Sequence, residues 1–121
     1  MTVLTLPWPP SVNHYWRHVG ARVLISRQGR EYRRAVIRDL QLQTFPPSGK
    51  HHRLAVNINV FPPDRRRRDL DNLLKSVLDA MEHAGVYADD AQIDQLIVSR
   101  REALPGGQLT VKVDIINDLG V

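Results

Sequence analysis

The sequence predicts a single small α+β domain with a mixed or antiparallel sheet of four to five strands and two main helices. Leu54, Val56, Ile58 and Val60 alternate strictly, as do Leu109, Val111, Val113 and Ile115. That is the period of strands with one buried face. Two other stretches carry a helical period: Tyr32, Val36 and Leu40, and then Leu74, Val77, Leu78 and Met81. A chain of 121 residues has room for one core, so residues 1–121 are read as one domain.

Thr2–Leu6 alternates around Val3 and reads as a short strand, stopped by Pro7, Pro9 and Pro10 because proline cannot donate to a ladder. Asn13–Arg17 reads as a polar-aromatic loop and Arg22–Ile25 as a short strand. Ser26 is a good N-cap for a helix from about Arg27 to Gln43. Thr44–His52 is a loop. Arg53–Phe61 is a strand ended by Pro62-Pro63. A second helix is expected from Leu70 or Asp71 to Ala84, with Gly85 as its stop. Gln92–Arg100 reads as a strand, Pro105-Gly106-Gly107 as a turn, and Leu109–Ile115 as the strand that closes a hairpin. Arg53–Phe61, the second helix and Gln92–Arg100 fit a right-handed βαβ unit. The tail after Asn117 is expected to fray.

Composition narrows the function. With 42% hydrophobic and 25% charged residues the chain is not a disordered chain, a collagen or a coiled coil. No apolar run approaches the roughly 20 residues of a membrane span. The N-terminus lacks a basic segment followed by an apolar stretch. The absence of cysteine removes disulfides, thiolate nucleophiles and zinc–thiolate sites, and a cytoplasmic location is expected. The net charge is +4, and its make-up is lopsided: fourteen Arg against three Lys, and ten Asp against three Glu. Arginine suits phosphate and aspartate suits hard metals and turns. Nucleic-acid work and a merely solvated basic surface both fit this balance.

Asp64–Lys75 is the most informative stretch, DRRRRDLDNLLK. Four arginines run into two aspartates one residue apart, where a loop becomes a helix. If Asp69-Leu70-Asp71 is extended, both carboxylates point one way and Leu70 enters the core. Lys75 then lies on the helical face of Asp71. Asp89 and Asp90 follow the second helix, and Asp90 must return along the sheet to meet Asp69 and Asp71. Three such carboxylates repel unless a cation joins them. Oxygen-only donors select Mg²⁺ or Mn²⁺, which polarises a phosphoryl group and activates water for phosphodiester hydrolysis. Lys75 could orient that water or neutralise transition-state charge, and Arg65, Arg66, Arg67 and Arg68 could hold flanking phosphates. Plain helix capping and an ordinary Asp71–Lys75 surface pair explain the same residues without a metal.

DRRRRDLDNLLK, with Leu78-Asp79-Ala80, Tyr87–Gln92 and the opening Leu6–Ser11 with Asn13, resembles the RusA family of Holliday junction resolvases. The closing hairpin and the length are similar too. The resemblance implies a homodimeric, Mg²⁺-dependent endonuclease that binds four-way DNA junctions and makes paired, symmetric nicks in recombination and repair. It implies metal-binding roles for Asp69, Asp71 and Asp90, a catalytic role for Lys75, DNA contacts at Arg68 and its neighbours, and no organic cofactor. A dimer also follows from need, since two cuts in opposed strands call for two acidic clusters.

Other residues carry two readings each. Arg30, Arg34 and Arg38, near Arg27, form a stripe that either tracks phosphates or faces solvent. Tyr15 and Trp16 either stack on unpaired bases or anchor a core or interface. Asn13 and His14 either touch DNA or stabilise a turn. His51 and His52 read as surface, and Trp8 as packing. Arg100 and Arg101 extend the basic surface. The rival functions are a non-catalytic DNA-binding protein, such as a phage-type regulator, and a Mg²⁺-dependent nuclease without junction preference.

Overall fold

The computed structural model describes residues 2–45 and 49–116. In chain order these form β1 (Thr2–Pro7), α1 (Val12–Tyr15), β2 (Trp16–Val19), β3 (Arg22–Ile25), α2 (Arg27–Leu40), β4 (Leu54–Phe61), α3 (Asp71–His83), β5 (Ile93–Arg100) and β6 (Gln108–Ile115). A 3-10 turn at Asp90–Gln92 leads into β5. The expected frayed tail lies outside the described residues.

The main sheet has four strands in the order β1-β6-β4-β5, and β2 pairs with β3 in a separate hairpin. β4 and β5 run parallel on either side of α3, as the βαβ reading requires. β6 is antiparallel to both β4 and β1. The expected β5–β6 hairpin therefore does not form. The connecting segment crosses the end of β4 instead: the Arg101 N–H donates to the Val60 carbonyl at 2.8 Å, and the Leu104 N–H to that of Pro62 at 2.8 Å. β6 then enters the sheet beyond β4. Gly107 closes the crossing at φ +71°, where a Cβ would come within 2.9 Å of the Trp8 ring.

Leu54, Val56, Ile58 and Val60 of β4 and Leu109, Val111 and Val113 of β6 are buried, as their alternation predicts. They share one core with Tyr32, Val36 and Leu40 of α2 and Val77, Ala80 and Met81 of α3. α2 begins where expected, with the Gly29 N–H donating to Ser26 Oγ at 2.9 Å. It ends at Leu40, short of Gln43. The Gln43 amide instead bonds both the N–H and the carbonyl of Thr5 (2.8 and 2.9 Å), covering part of the open edge of β1.

The expected loop at Asn13–Arg17 is α1 followed by the start of β2. The His14 and Tyr15 N–H groups both donate to the Ser11 carbonyl. One turn is too short to show a 3.6-residue period. Tyr15 is fully buried and its ring meets Trp16 edge-on, so both aromatics are packing residues here. The Tyr15 hydroxyl donates to Asp79 Oδ2, which also receives Arg33 Nη2 at 2.8 Å and Nε at 3.0 Å. Burial, then the hydrogen bond to Asp79, push the Tyr15 phenol well above its ordinary pKa.

This triad ties α1, α2 and α3 together. Asp79→Ala leaves a guanidinium and a phenol without their acceptor. The expected loss is about 2 kcal/mol, or roughly 5–10 °C in Tm, read by thermal unfolding. Asp79→Asn, which keeps one acceptor, is expected to lose less.

Candidate metal centre and nucleic-acid interface

The arginine run leaves the C-terminal end of β4 as a loop folded on its own first residue. Asp64 Oδ1 accepts Arg68 Nη1 at 2.7 Å and the Arg66 N–H at 2.9 Å. Those two bonds, Arg68 first, hold the Asp64 carboxyl down at about 2. The Arg68 guanidinium lies 5.6 Å from the centroid of the Trp8 ring, and the Arg68 carbonyl accepts Arg100 Nη2 at 2.6 Å. The four arginines are thus unequal. Arg68 is built into the loop, and Arg66 lies 3.5 Å from Asp64 with its side chain largely in solvent. Arg65 and Arg67 are exposed and pair with no carboxylate among the described residues.

Leu70 has helical angles, φ −61° and ψ −39°, so Asp69-Leu70-Asp71 is not the extended tripeptide expected. Leu70 is already turned into α3, with the Asp69 carbonyl accepting the Asn72 N–H at 3.2 Å. The period-two argument for the two carboxylates therefore fails, although Leu70 does pack against the core. The buried face of α3 is Leu73, Ser76, Val77, Ala80 and Met81: Val77 and Met81 of the expected stripe are buried, whereas Leu74 and Leu78 are half-buried at its margin. Ser76 is admitted because its hydroxyl donates to the Pro10 carbonyl at 3.0 Å. This packing leaves Asp71 and Lys75 on the exposed side. They form no ion pair with each other.

A cleft of about 470 Å³ brings Asn13, Arg67, Arg68 and Asp69 together, with Trp8 and Asn72 in its wall. Asn13 and the arginine loop are distant in sequence, and Pro9 beside the cleft and the Ser76 bond to Pro10 hold the N-terminal segment there. Asp69 and Asp71 are exposed, and no cation pairs with either among the described residues. Arg30 and Arg34 are exposed on α2.

Asp90 lies elsewhere. α3 separates Asp71 from Glu82 by eleven residues, roughly 16 Å at 1.5 Å per residue. The Asp90 N–H donates to Glu82 Oε1 at 2.7 Å, and carboxylate oxygens of Glu82, Asp89 and Asp90 lie within 4.8 Å of one another. Within one chain the three predicted ligands are therefore not assembled: Asp69 and Asp71 stand at one end of α3 and Asp90 at the other. The topology dictates this. In parallel strands joined by a helix, the loop after the first and the loop before the second are at opposite ends of the sheet, and here Leu54 is level with Ile93.

The turn holding Asp90 rests on a residue the sequence reading did not single out. Gln92 is buried; its Oε1 accepts the Ala88 and Asp89 N–H groups at 2.9 and 3.0 Å, and its Nε2 donates to the Gly49 and His52 carbonyls. Asp89 Oδ1 accepts the Ala91 N–H. The signal was present as Asp89-x-x-Gln92, the spacing of a capping box.

Residues 7–115 match the family described as Endodeoxyribonuclease RusA. The chain belongs to the RusA family. Among its RusA relatives, a crossover junction endodeoxyribonuclease of Enterobacteria phage HK97 is 46% identical over 111 residues, 89% of each chain. Crossover junction endodeoxyribonucleases of Shigella sonnei (strain Ss046) and Escherichia coli (strain K12) are 41% and 40% identical over 110 residues, 91% of each chain. The RusA match takes in the cleft, the arginine loop, α3 and the Asp89-Asp90 turn. No helix among the described residues is long and apolar enough to cross a membrane.

Proposed function

We propose that this chain is a divalent-metal-dependent endodeoxyribonuclease that resolves four-way DNA junctions by paired symmetric nicks, acting in recombination and repair in the cytoplasm. The observation that carries the reading is RusA membership across residues 7–115, with relatives whose names state crossover-junction cleavage.

The donor set fits a hard dication. Asp69 and Asp71 offer carboxylate oxygens that no cation of the chain neutralises among the described residues. They would hold Mg²⁺, with Mn²⁺ as a substitute, together with Asp90. When bound, the ion supplies Lewis-acid polarisation of the scissile phosphoryl group. Lys75, four residues past Asp71 and without an ion pair among the described residues, would supply positive charge to the phosphoryl oxygens as they gain negative charge. Asn13, Arg67 and Arg68 line the cleft that admits the DNA backbone. Arg65 and Arg66, outside that cleft on the same loop, and Arg30 and Arg34 on α2 offer further phosphate contacts to the DNA.

The working unit is a homodimer in which the Asp90 carboxylate of one copy joins Asp69 and Asp71 of the other. A two-fold axis crossing α3 exchanges the helix ends, so each of two equivalent sites receives residues from both chains.

The deciding experiment incubates the protein with a four-way junction and with linear duplex, in Mg²⁺ and in EDTA. Symmetric nicking of the junction in Mg²⁺ alone is expected. Equal cutting of linear duplex would leave a nuclease without junction preference, and binding without any cutting would leave a regulator.

A further inference from the structure

We infer that Arg65, Arg66 and Arg101 form a second phosphate-binding groove, separate from the cleft at Asp69, that takes the backbone of one duplex arm. The inference rests on the junction reading and adds a site to it. A groove of about 270 Å³ lies between the loops that follow β4 and β5, and it shares no lining residue with the Asp69 cleft. Parallel neighbours end on the same side of a sheet, which is why two arginine pairs far apart in sequence meet there: Arg65 and Arg66 on one wall, Arg100 and Arg101 on the other.

The walls are tied. The Arg101 N–H bonds the Val60 carbonyl, the Leu104 N–H bonds that of Pro62, and Arg100 Nη2 reaches the Arg68 carbonyl. Arg100 is thereby spent on positioning. Arg101 is oriented and not spent: its Nε donates to Asn59 Oδ1 at 2.8 Å, and its terminal N–H groups make no bond among the described residues. Four guanidinium groups face two carboxylates, and one of these, Asp64, already accepts Arg68 and the Arg66 N–H. Glu102 is the other, and it pairs with no cation among the described residues. A polyanion with regularly spaced tetrahedral groups matches this array, since a fixed guanidinium fork binds phosphate with two parallel hydrogen bonds.

The test follows a labelled four-way junction by fluorescence anisotropy in EDTA across a salt series. Arg101→Gln is expected to weaken binding about five-fold at moderate salt and to reduce the slope of log affinity against log salt by about one. Asn59→Ala keeps the charge and removes the orienting oxygen; a loss of about three-fold with an unchanged slope is expected. Arg22→Gln, on the β2–β3 hairpin, controls for net charge and is expected to match wild type. Single-turnover cleavage by Arg101→Gln at saturating protein should stay within about two-fold of wild type, because no reacting group is touched. An Arg101→Gln protein with the wild-type slope, an Asn59→Ala protein with the wild-type affinity, or an Arg22→Gln protein that loses as much overturns the groove. A wild-type protein that does not hold the junction at all overturns the resolvase reading instead.

Discussion

Asp71→Asn is expected to slow junction cleavage about a thousand-fold or more, near 4 kcal/mol of lost transition-state stabilisation, while binding the junction at least as tightly as wild type. Asparagine keeps the size of the side chain at a position that is exposed at the start of α3 and makes no ion pair among the described residues. The fold therefore loses little beyond a favourable negative charge in the first turn of α3, about 0.5 kcal/mol. One negative charge fewer beside the phosphates favours binding, and one carboxylate fewer removes a ligand of a hard cation. Asp69→Asn should behave alike. Lys75→Ala separates chemistry from grip: a large loss in single-turnover rate is expected with little change in affinity. Equal losses in rate and affinity would make Lys75 a binding residue. Cleavage in Mg²⁺ at the wild-type rate by Asp71→Asn would remove Asp71 from the site, and the same result for Asp69→Asn would remove Asp69.

Local pattern carried most of the fold, and its failures have specific causes. β4 and β6 were legible because an alternating strand with one buried face admits only one way round. The slot of β6 was not legible, since the same alternation serves a hairpin partner of β5 and a strand between β1 and β4. Backbone hydrogen bonds at Val60 and Pro62 decide between them, and no side chain reports those. Hydropathy found Val77 and Met81 on the buried face of α3 and missed the rest: Ser76 counts as polar and Ala80 as small, yet both are buried because the helix packs closely there and Ser76 has an acceptor in Pro10. α1 escaped notice because four residues carry no period. Of the candidate site, the meeting of Asn13 with the arginine loop depends on Pro10 bonding α3, a contact between segments remote in sequence.

The separation of Asp90 from Asp69 and Asp71 was, by contrast, implicit in the βαβ reading itself. A strand–helix–strand unit that keeps its strands parallel must put Asp69 and Asp90 at opposite ends, so one chain cannot be both that unit and a three-carboxylate site. The proposed dimer would remove the conflict, and a mixed dimer tests it. Asp71→Asn and Asp90→Asn homodimers are both expected to be inactive. In a heterodimer of the two, one site receives both substitutions and the other receives none, because the Asp90→Asn chain keeps Asp69 and Asp71 and its partner keeps Asp90. That heterodimer should nick one strand of each junction at close to the wild-type single-site rate, without paired cuts, a recovery of about a thousand-fold over either homodimer. If each site belonged to one chain, both sites of the heterodimer would be damaged and no nicking would return. Glu82→Gln discriminates further. Glutamine retains the acceptor for the Asp90 N–H, so activity should survive if Glu82 only positions the turn, and should fall as far as in Asp90→Asn if Glu82, Asp89 and Asp90 hold the ion among themselves.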